Sequence, residues 1–133
     1  MEKCGVVGYI RSAVFDGNGE VIRGQEEKIR HYAERYNLDL VKLFVDNGVP
    51  GNRTNRWGWD AMMEYLSNES NKAKFLVVCD LCRISRDFYE FNHKVEQLRL
   101  KSIRVLSVDG QGEKANVINS ELLPDKKQKR LKA

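Results

Sequence analysis

Hydrophobic positions along this chain alternate between two periods. Residues 4–11 (Cys4-Gly5-Val6-Val7-Gly8-Tyr9-Ile10-Arg11) are a nearly unbroken apolar run with Gly5 and Gly8 inside it, which predicts a strand. From Ile22 to Tyr36 the spacing changes. Ile29, Tyr32, Ala33 and Tyr36 fall at i, i+3, i+4 and i+7, the stripe of an amphipathic helix. Leu38 to Val45 predicts a second strand, and Trp59, Met62, Met63 and Leu66 return to helical spacing. Phe75 to Cys79 reads as a third strand, Phe88, Phe91, Val95 and Leu98 as a third helix, and Ile103 to Val108 as a fourth strand. Asp16-Gly17-Asn18-Gly19 and Asn47-Gly48-Val49-Pro50-Gly51-Asn52 have turn chemistry. The order βαβαβαβ predicts an α/β domain in three layers. Its sheet is mostly parallel, of four or more strands, with helices on both faces.

After Asp109 the pattern fades. Val117, Ile118, Leu122 and Leu123 support at most one short helix, and Pro124 precedes a lysine-rich run. The expected division is one domain over residues 1–110 and a polar, basic tail over 111–133. That tail changes the meaning of the net charge of +4. Five of the 23 basic residues (Lys126, Lys127, Lys129, Arg130 and Lys132) lie beyond residue 125, leaving 18 against 19 acidic ones. The body is therefore not generally basic, and a polyanion must be met by a focused cluster plus the tail. With 133 residues, 41% of them hydrophobic and 32% charged, the chain can bury a core without staples. No apolar run approaches the roughly 18 residues of a membrane span. The first residues are too short and wrongly flanked for a signal peptide, so no membrane partner and a cytoplasmic location are expected.

Candidate chemistry lies at strand ends. Residues 75–87 turn polar within three residues of the third strand, with Arg83 and Arg86 three positions apart just ahead of a helix. Ligands of open α/β sheets sit outside the carboxyl ends of the strands, and a guanidinium fork suits a phosphate. The plain alternative is a solvated helix start. Arg11 ends the first strand and Arg56 precedes the second helix. Tyr9 is expected half-buried beside Arg11, with His31 and His93 on helix surfaces. Trp57 and Trp59 read as core or interface residues rather than base-stacking platforms.

Tyr9 and Arg11, then Asp46, Gly51 and Arg56, then Arg83, Ser85, Arg86 and Asp87 form three motifs, each at the end of the appropriate element. Together they resemble the catalytic domain of the serine recombinases, the resolvase/invertase family, over roughly residues 4–110. The resemblance implies a resolvase-like fold and site-specific cutting and rejoining of DNA without cofactor or metal. A serine hydroxyl attacks a backbone phosphate while arginines neutralise the transition state. It implies catalytic roles for Arg11, Arg83 and Arg86, with Ser12 as the available hydroxyl. Arg56 and the tail residues Lys126, Lys127, Lys129 and Arg130 would grip DNA phosphate. The protein partner would be a second copy or an intact recombinase. Two positions depart from the family's pattern. Ala13 stands where the nucleophilic serine belongs, and Cys82 replaces the aspartate of the third motif. Arg11 and residue 13 share a strand face, so Ser12 is expected to point away unless a bulge brings it round. The expectation is a domain that keeps its hold on DNA phosphate and is impaired in strand cleavage. The alternative on the same scaffold is a non-catalytic DNA- or phosphate-binding regulatory module. The family normally continues into a long dimerisation helix and a DNA-binding domain, whereas the residues after the fourth strand here are mostly polar.

Two further readings rest on other residues. Cys79-Asp80-Leu81-Cys82 has the spacing of a thiol-redox pair, although Pro50, the only candidate for a partner proline, precedes it. Zinc would need further ligands from Cys4, His31 and His93, which lack recognisable spacing. A flavodoxin-like small-ligand module would rest on Gly17 and Gly19, which match no phosphate-cradle pattern.

Overall fold

The computed structural model describes residues 3–49, 56–68 and 70–110. Four strands, β1 (Cys4–Ser12), β2 (Leu38–Asn47), β3 (Ala73–Val78) and β4 (Arg104–Ser107), form one sheet in the order β2-β1-β3-β4. Every pairing is parallel. Between them run α1 (Glu20–Arg35), α2 (Trp57–Ser67) and α3 (Phe88–Leu100), with a 3-10 turn at Leu81–Arg83 after β3. This is the layered α/β architecture that the alternating periods predict.

Burial follows from the order of strands. β1 is central, and its residues from Val6 to Ser12 are all buried. Its side chains divide by parity. Val6 and Ile10 join Ile29 of α1, with Val77, Cys79 and Leu106, in the core on one face. Val7 and Tyr9 join Trp59, Met62 and Leu66 of α2 and Leu98 of α3 on the other. The sheet is thus covered by α1 on one side and by α2 and α3 on the other. No helix among the described residues is long and apolar enough to cross a membrane.

Element ends differ from the sequence expectation where polar residues continue a ladder. β1 runs on to Ser12 and β2 to Asn47, because Arg11 pairs with Asp46 and Ser12 with Asn47 in parallel register. Backbone pairing does not require apolar side chains, so the hydrophobic pattern stops before the strand does. Tyr9 is fully buried rather than half-buried, and its hydroxyl donates to the Asp46 carboxylate at 2.7 Å. Burial and that carboxylate raise the phenol pKa well above its ordinary value. Gly51 and the tail residues Lys126, Lys127, Lys129 and Arg130 lie outside the described residues.

Asp46 also starts α2. Its carboxylate accepts from the Gly58 amide at 2.7 Å and the Trp59 amide at 3.0 Å. Two of the orphan donors at the helix N-terminus are thereby satisfied by a residue from β2, and a negative charge meets the positive end of the helix dipole. So close an approach needs a glycine. A Cβ at Gly58 would lie 2.5 Å from the Val45 carbonyl oxygen. Gly58→Ala is expected to destabilise the fold by roughly 1–3 kcal/mol through overpacking. At Gly24, inside α1, an added Cβ meets nothing within 4 Å, so Gly24→Ala is expected to stabilise by about 0.5–1 kcal/mol. Urea unfolding midpoints at unchanged slope check both. A Gly58→Ala variant as stable as the parent chain would contradict the packing at this junction.

Candidate functional site

The carboxyl ends of β1, β2 and β3 bring four arginines into one region, and burial sorts them into two kinds. Arg11 is 1% exposed. Its Nε donates to the Arg83 carbonyl at 3.1 Å, its Nη1 to the Val49 carbonyl at 2.9 Å and its Nη2 to the Cys82 carbonyl at 2.7 Å. Arg56 is 0% exposed; its Nη1 donates to the same Arg83 carbonyl at 3.1 Å and its Nη2 pairs with Glu90 at 3.4 Å. These two guanidiniums hold the 3-10 turn from within. Arg83 is partly exposed. Its Nε meets the Asp80 carboxylate at 3.2 Å, and its Nη1 returns to the Arg11 carbonyl at 3.1 Å. Arg86 is exposed and makes no hydrogen bond or ion pair with any described residue.

The electrostatics reflect how closely they gather. The Arg11 pKa lies below its ordinary value, first through burial and then through the positive charge of Arg56, with Arg83 and Arg86 adding to it. Like charges this near one another need compensation. Backbone carbonyls supply part of it, and Glu90 supplies more. Glu90 accepts from Arg56 and from the Ser85 hydroxyl at 2.8 Å, and that hydroxyl in turn accepts from the Asp87 amide at 3.0 Å. Asp87 caps α3 by accepting from the Glu90 amide at 2.9 Å. Sequence reasoning passed over Glu90, although Asp87-x-x-Glu90 has the spacing of a capping box.

Lys94, one turn further along α3, was also missed. It is 8% exposed, and its Nζ lies 4.8 Å from the centroid of the buried Trp59 ring. Burial, then the charge of Arg56, lowers its pKa. Trp57, only two residues before Trp59, is 83% exposed, so of the two tryptophans expected in a core or an interface only Trp59 is a core residue.

Ser12 stays on the strand and takes the opposite side. No bulge interrupts β1 near it, and its parity is that of Val6 and Ile10, which face α1. Its hydroxyl donates to the Val14 carbonyl, and it makes no hydrogen bond to any of the guanidiniums. Ala13 is exposed just beyond the strand. The cysteine pair is likewise divided. Cys79 is buried, with its thiol against the Gln25 carbonyl at 3.4 Å and its pKa pushed up to about 11 by burial, while Cys82 is exposed. A buried thiol held protonated is a poor redox nucleophile. Among the described residues no three His, Cys, Asp or Glu side chains gather closely enough to hold a metal ion, and His31 and His93 lie exposed on their helices.

With this geometry in place, comparison with known proteins gives a consistent picture. The family model described as "Resolvase, N terminal domain" matches residues 6–125. The chain belongs to the resolvase family. Among solved structures it is similar to the N-terminal catalytic domain of TP901-1 integrase. That match has 17% identity and a TM-score of 0.74, covering 97% of this chain and 99% of that one. A resolvase family site-specific recombinase from Streptococcus pneumoniae gives 19% identity and a TM-score of 0.74, covering 98% and 90%. The C-terminal catalytic domain of an IS607-like serine recombinase gives 18% and 0.67, covering 96% and 76%. At these identities the structures establish a shared fold. No curated protein matches the chain. Within the resolvase fold, the arginines expected from the motifs come together, whereas the hydroxyl of Ser12, next to Arg11 in the chain, turns to the other face of the sheet.

Lys94 offers a test of the electrostatics. With its folded pKa below the unfolded value near 10.5, the protonated amine costs stability at neutral pH. That cost is relieved as pH rises through the folded pKa towards 10.5. Lys94→Met is therefore expected to raise the melting temperature at pH 7, with an advantage that shrinks on approach to pH 10.5. An advantage constant with pH, or none at all, counts against a strained buried ammonium. Glu90→Ala, which removes the carboxylate facing the buried Arg56, is expected to cost roughly 1–3 kcal/mol in chemical denaturation.

Proposed function

We propose that this domain grips the DNA backbone through its arginine cluster and does not cut it. The observation that carries the reading is the position of Ser12, whose hydroxyl bonds the Val14 carbonyl on the α1 side of the sheet while Arg11 reaches Arg83 and Cys82 on the other. A hydroxyl is a weak nucleophile at neutral pH and attacks a phosphodiester only when aligned and activated. The guanidiniums that would stabilise the phosphoryl transition state are present, but position 13 carries only a methyl group and position 82 a thiol in place of a carboxylate. The roles within the cluster follow burial. Arg11 and Arg56 hold the turn, and Arg83 and Arg86 meet the phosphate. The basic residues Lys126, Lys127, Lys129 and Arg130 add salt-dependent, sequence-independent contact. Membership of the resolvase family, and neighbours named as an integrase, a site-specific recombinase and a serine recombinase, support DNA as the ligand. They also support a protein partner, either a second copy or a recombinase with an intact nucleophile.

Incubation with supercoiled plasmid, then a denaturing gel, is expected to give no protein–DNA adduct. Mobility shifts on the same DNA are expected to weaken as salt rises. Arg86→Ala should reduce the slope of log K against log salt by about one, the loss of one phosphate contact. A covalent adduct that disappears on Ser12→Ala would overturn the reading.

A further inference from the structure

We propose that Gln25 is a positioning residue for the phosphate-binding arginines, acting through the main chain of Arg11. The inference rests on the phosphate-binding reading above and names what aims one of its cations. Along α1 the buried positions are Gln25, Ile29 and Ala33, so a carboxamide takes the first place in an otherwise apolar stripe. Gln25 is 5% exposed. A polar side chain at such a place is costly unless its donor and its acceptor are both met.

One residue meets both. The Gln25 Nε2 donates to the Arg11 carbonyl at 3.0 Å, and its Oε1 accepts from the Arg11 amide at 3.4 Å. The reason lies in the ladder. β1 pairs with β2 as far as Ser12, but with β3 only as far as Gly8, opposite Val77. In a parallel ladder a residue turns its amide and carbonyl to one neighbour, and the next residue turns its own to the other. The Ser12 carbonyl goes to the β2 side, where it accepts from the Gly48 and Val49 amides at 2.8 Å each. The amide and carbonyl of Arg11 go to the β3 side, and β3 has already given way to the 3-10 turn. The Gln25 carboxamide takes the place of a strand residue there.

The same Arg11 carbonyl also accepts from the Arg83 Nη1 at 3.1 Å. With Nε on Asp80, two nitrogens of the Arg83 guanidinium are pinned, and its Nη2 makes no hydrogen bond with the protein. Gln25 thus fixes the anchor from which that nitrogen is presented to a phosphate, although it comes from α1 and meets no phosphate itself.

The full chain is titrated with a fluorescent duplex over a range of salt. Gln25→Met is similar in size and can form neither bond. It is expected to weaken binding about tenfold and to lower the slope of log K against log salt by about one, matching Arg83→Ala. The double variant Gln25→Met/Arg83→Ala is expected to bind no more weakly than Arg83→Ala alone, since both changes remove the same contact. In the unsubstituted chain the side-chain amide resonance of Gln25 is expected to shift as duplex is added, a readout that needs no variant to fold. A lowered melting temperature with affinity and slope unchanged would leave Gln25 a purely structural role and overturn the proposal. Additive losses in the double variant, or a Gln25 resonance that stays in place, would do the same. If Arg83→Ala itself left affinity and slope unchanged, the phosphate reading would fall together with this one.

Discussion

One backbone oxygen, the carbonyl of Arg83, receives hydrogen bonds from two buried guanidiniums, Arg11 at the end of β1 and Arg56 at the start of α2. Neither cation could be buried alone, and together they repel: burial first, and then the charge of Arg56, holds the Arg11 pKa below its ordinary value. What makes the arrangement tenable is geometry. The guanidinium fork satisfies several carbonyls at once, and the Arg11 side chain alone closes the turns after β2 and β3 through Val49, Cys82 and Arg83. Glu90 then places a carboxylate against Arg56 from α3. Three loops that could move independently are tied into one body, and Arg83 and Arg86 are displayed from it.

A second constraint comes from the two-residue period of a strand. Tyr9 and Arg11 face α2 and α3, where Asp46 and the 3-10 turn receive them, while Ile10 and Ser12 face α1. A shift of one position in sequence is a change of sheet face, because neighbouring strand residues cannot share one. Placing serine at position 12 rather than 13 therefore does not move the hydroxyl slightly. It moves it to the opposite side of the sheet from the guanidiniums. The capping of α2 reinforces the separation, since Asp46 anchors Tyr9 and the helix start on the side that Ser12 has left.

The alternation of elements was legible because each buried face wrote its own period into the chain, and the arginine cluster was legible because three motifs fell at three strand ends. Burial within the cluster was not. Nothing in the spacing of Arg11 and Arg56 distinguishes a cation turned inward to carbonyls from one turned outward to a ligand. Asp46 was readable as a motif residue but not as the cap of a helix, because its amide partners lie 12 and 13 residues away and meet it only after β2 and α2 have packed. Lys94 interrupts the α3 stripe with a polar residue, so the apolar pattern of Phe91, Val95 and Leu98 passed over it, although its stem is buried beside Trp59. The two tryptophans illustrate the same limit. A separation of two places them on different sides of a helix, and composition alone could not say which was inside.

The division of the arginines also bears on what a cluster of this kind signifies. Arg11 and Arg56 are committed to the turn whether or not any bond in a nucleic acid is broken: removing Arg11 takes a donor from the Val49 and Cys82 carbonyls, and removing Arg56 takes one of the two donors from the Arg83 carbonyl. Their presence therefore speaks for the fold and for the placement of Arg83 and Arg86, and is silent about catalysis. Cleavage makes a separate demand, a hydroxyl on the same face as the guanidiniums, and that demand is unmet at positions 12 and 13. On the reading proposed above, a hold on phosphate and chemistry on phosphate are physically separable, because gathering guanidiniums at the strand ends does not by itself place a hydroxyl among them.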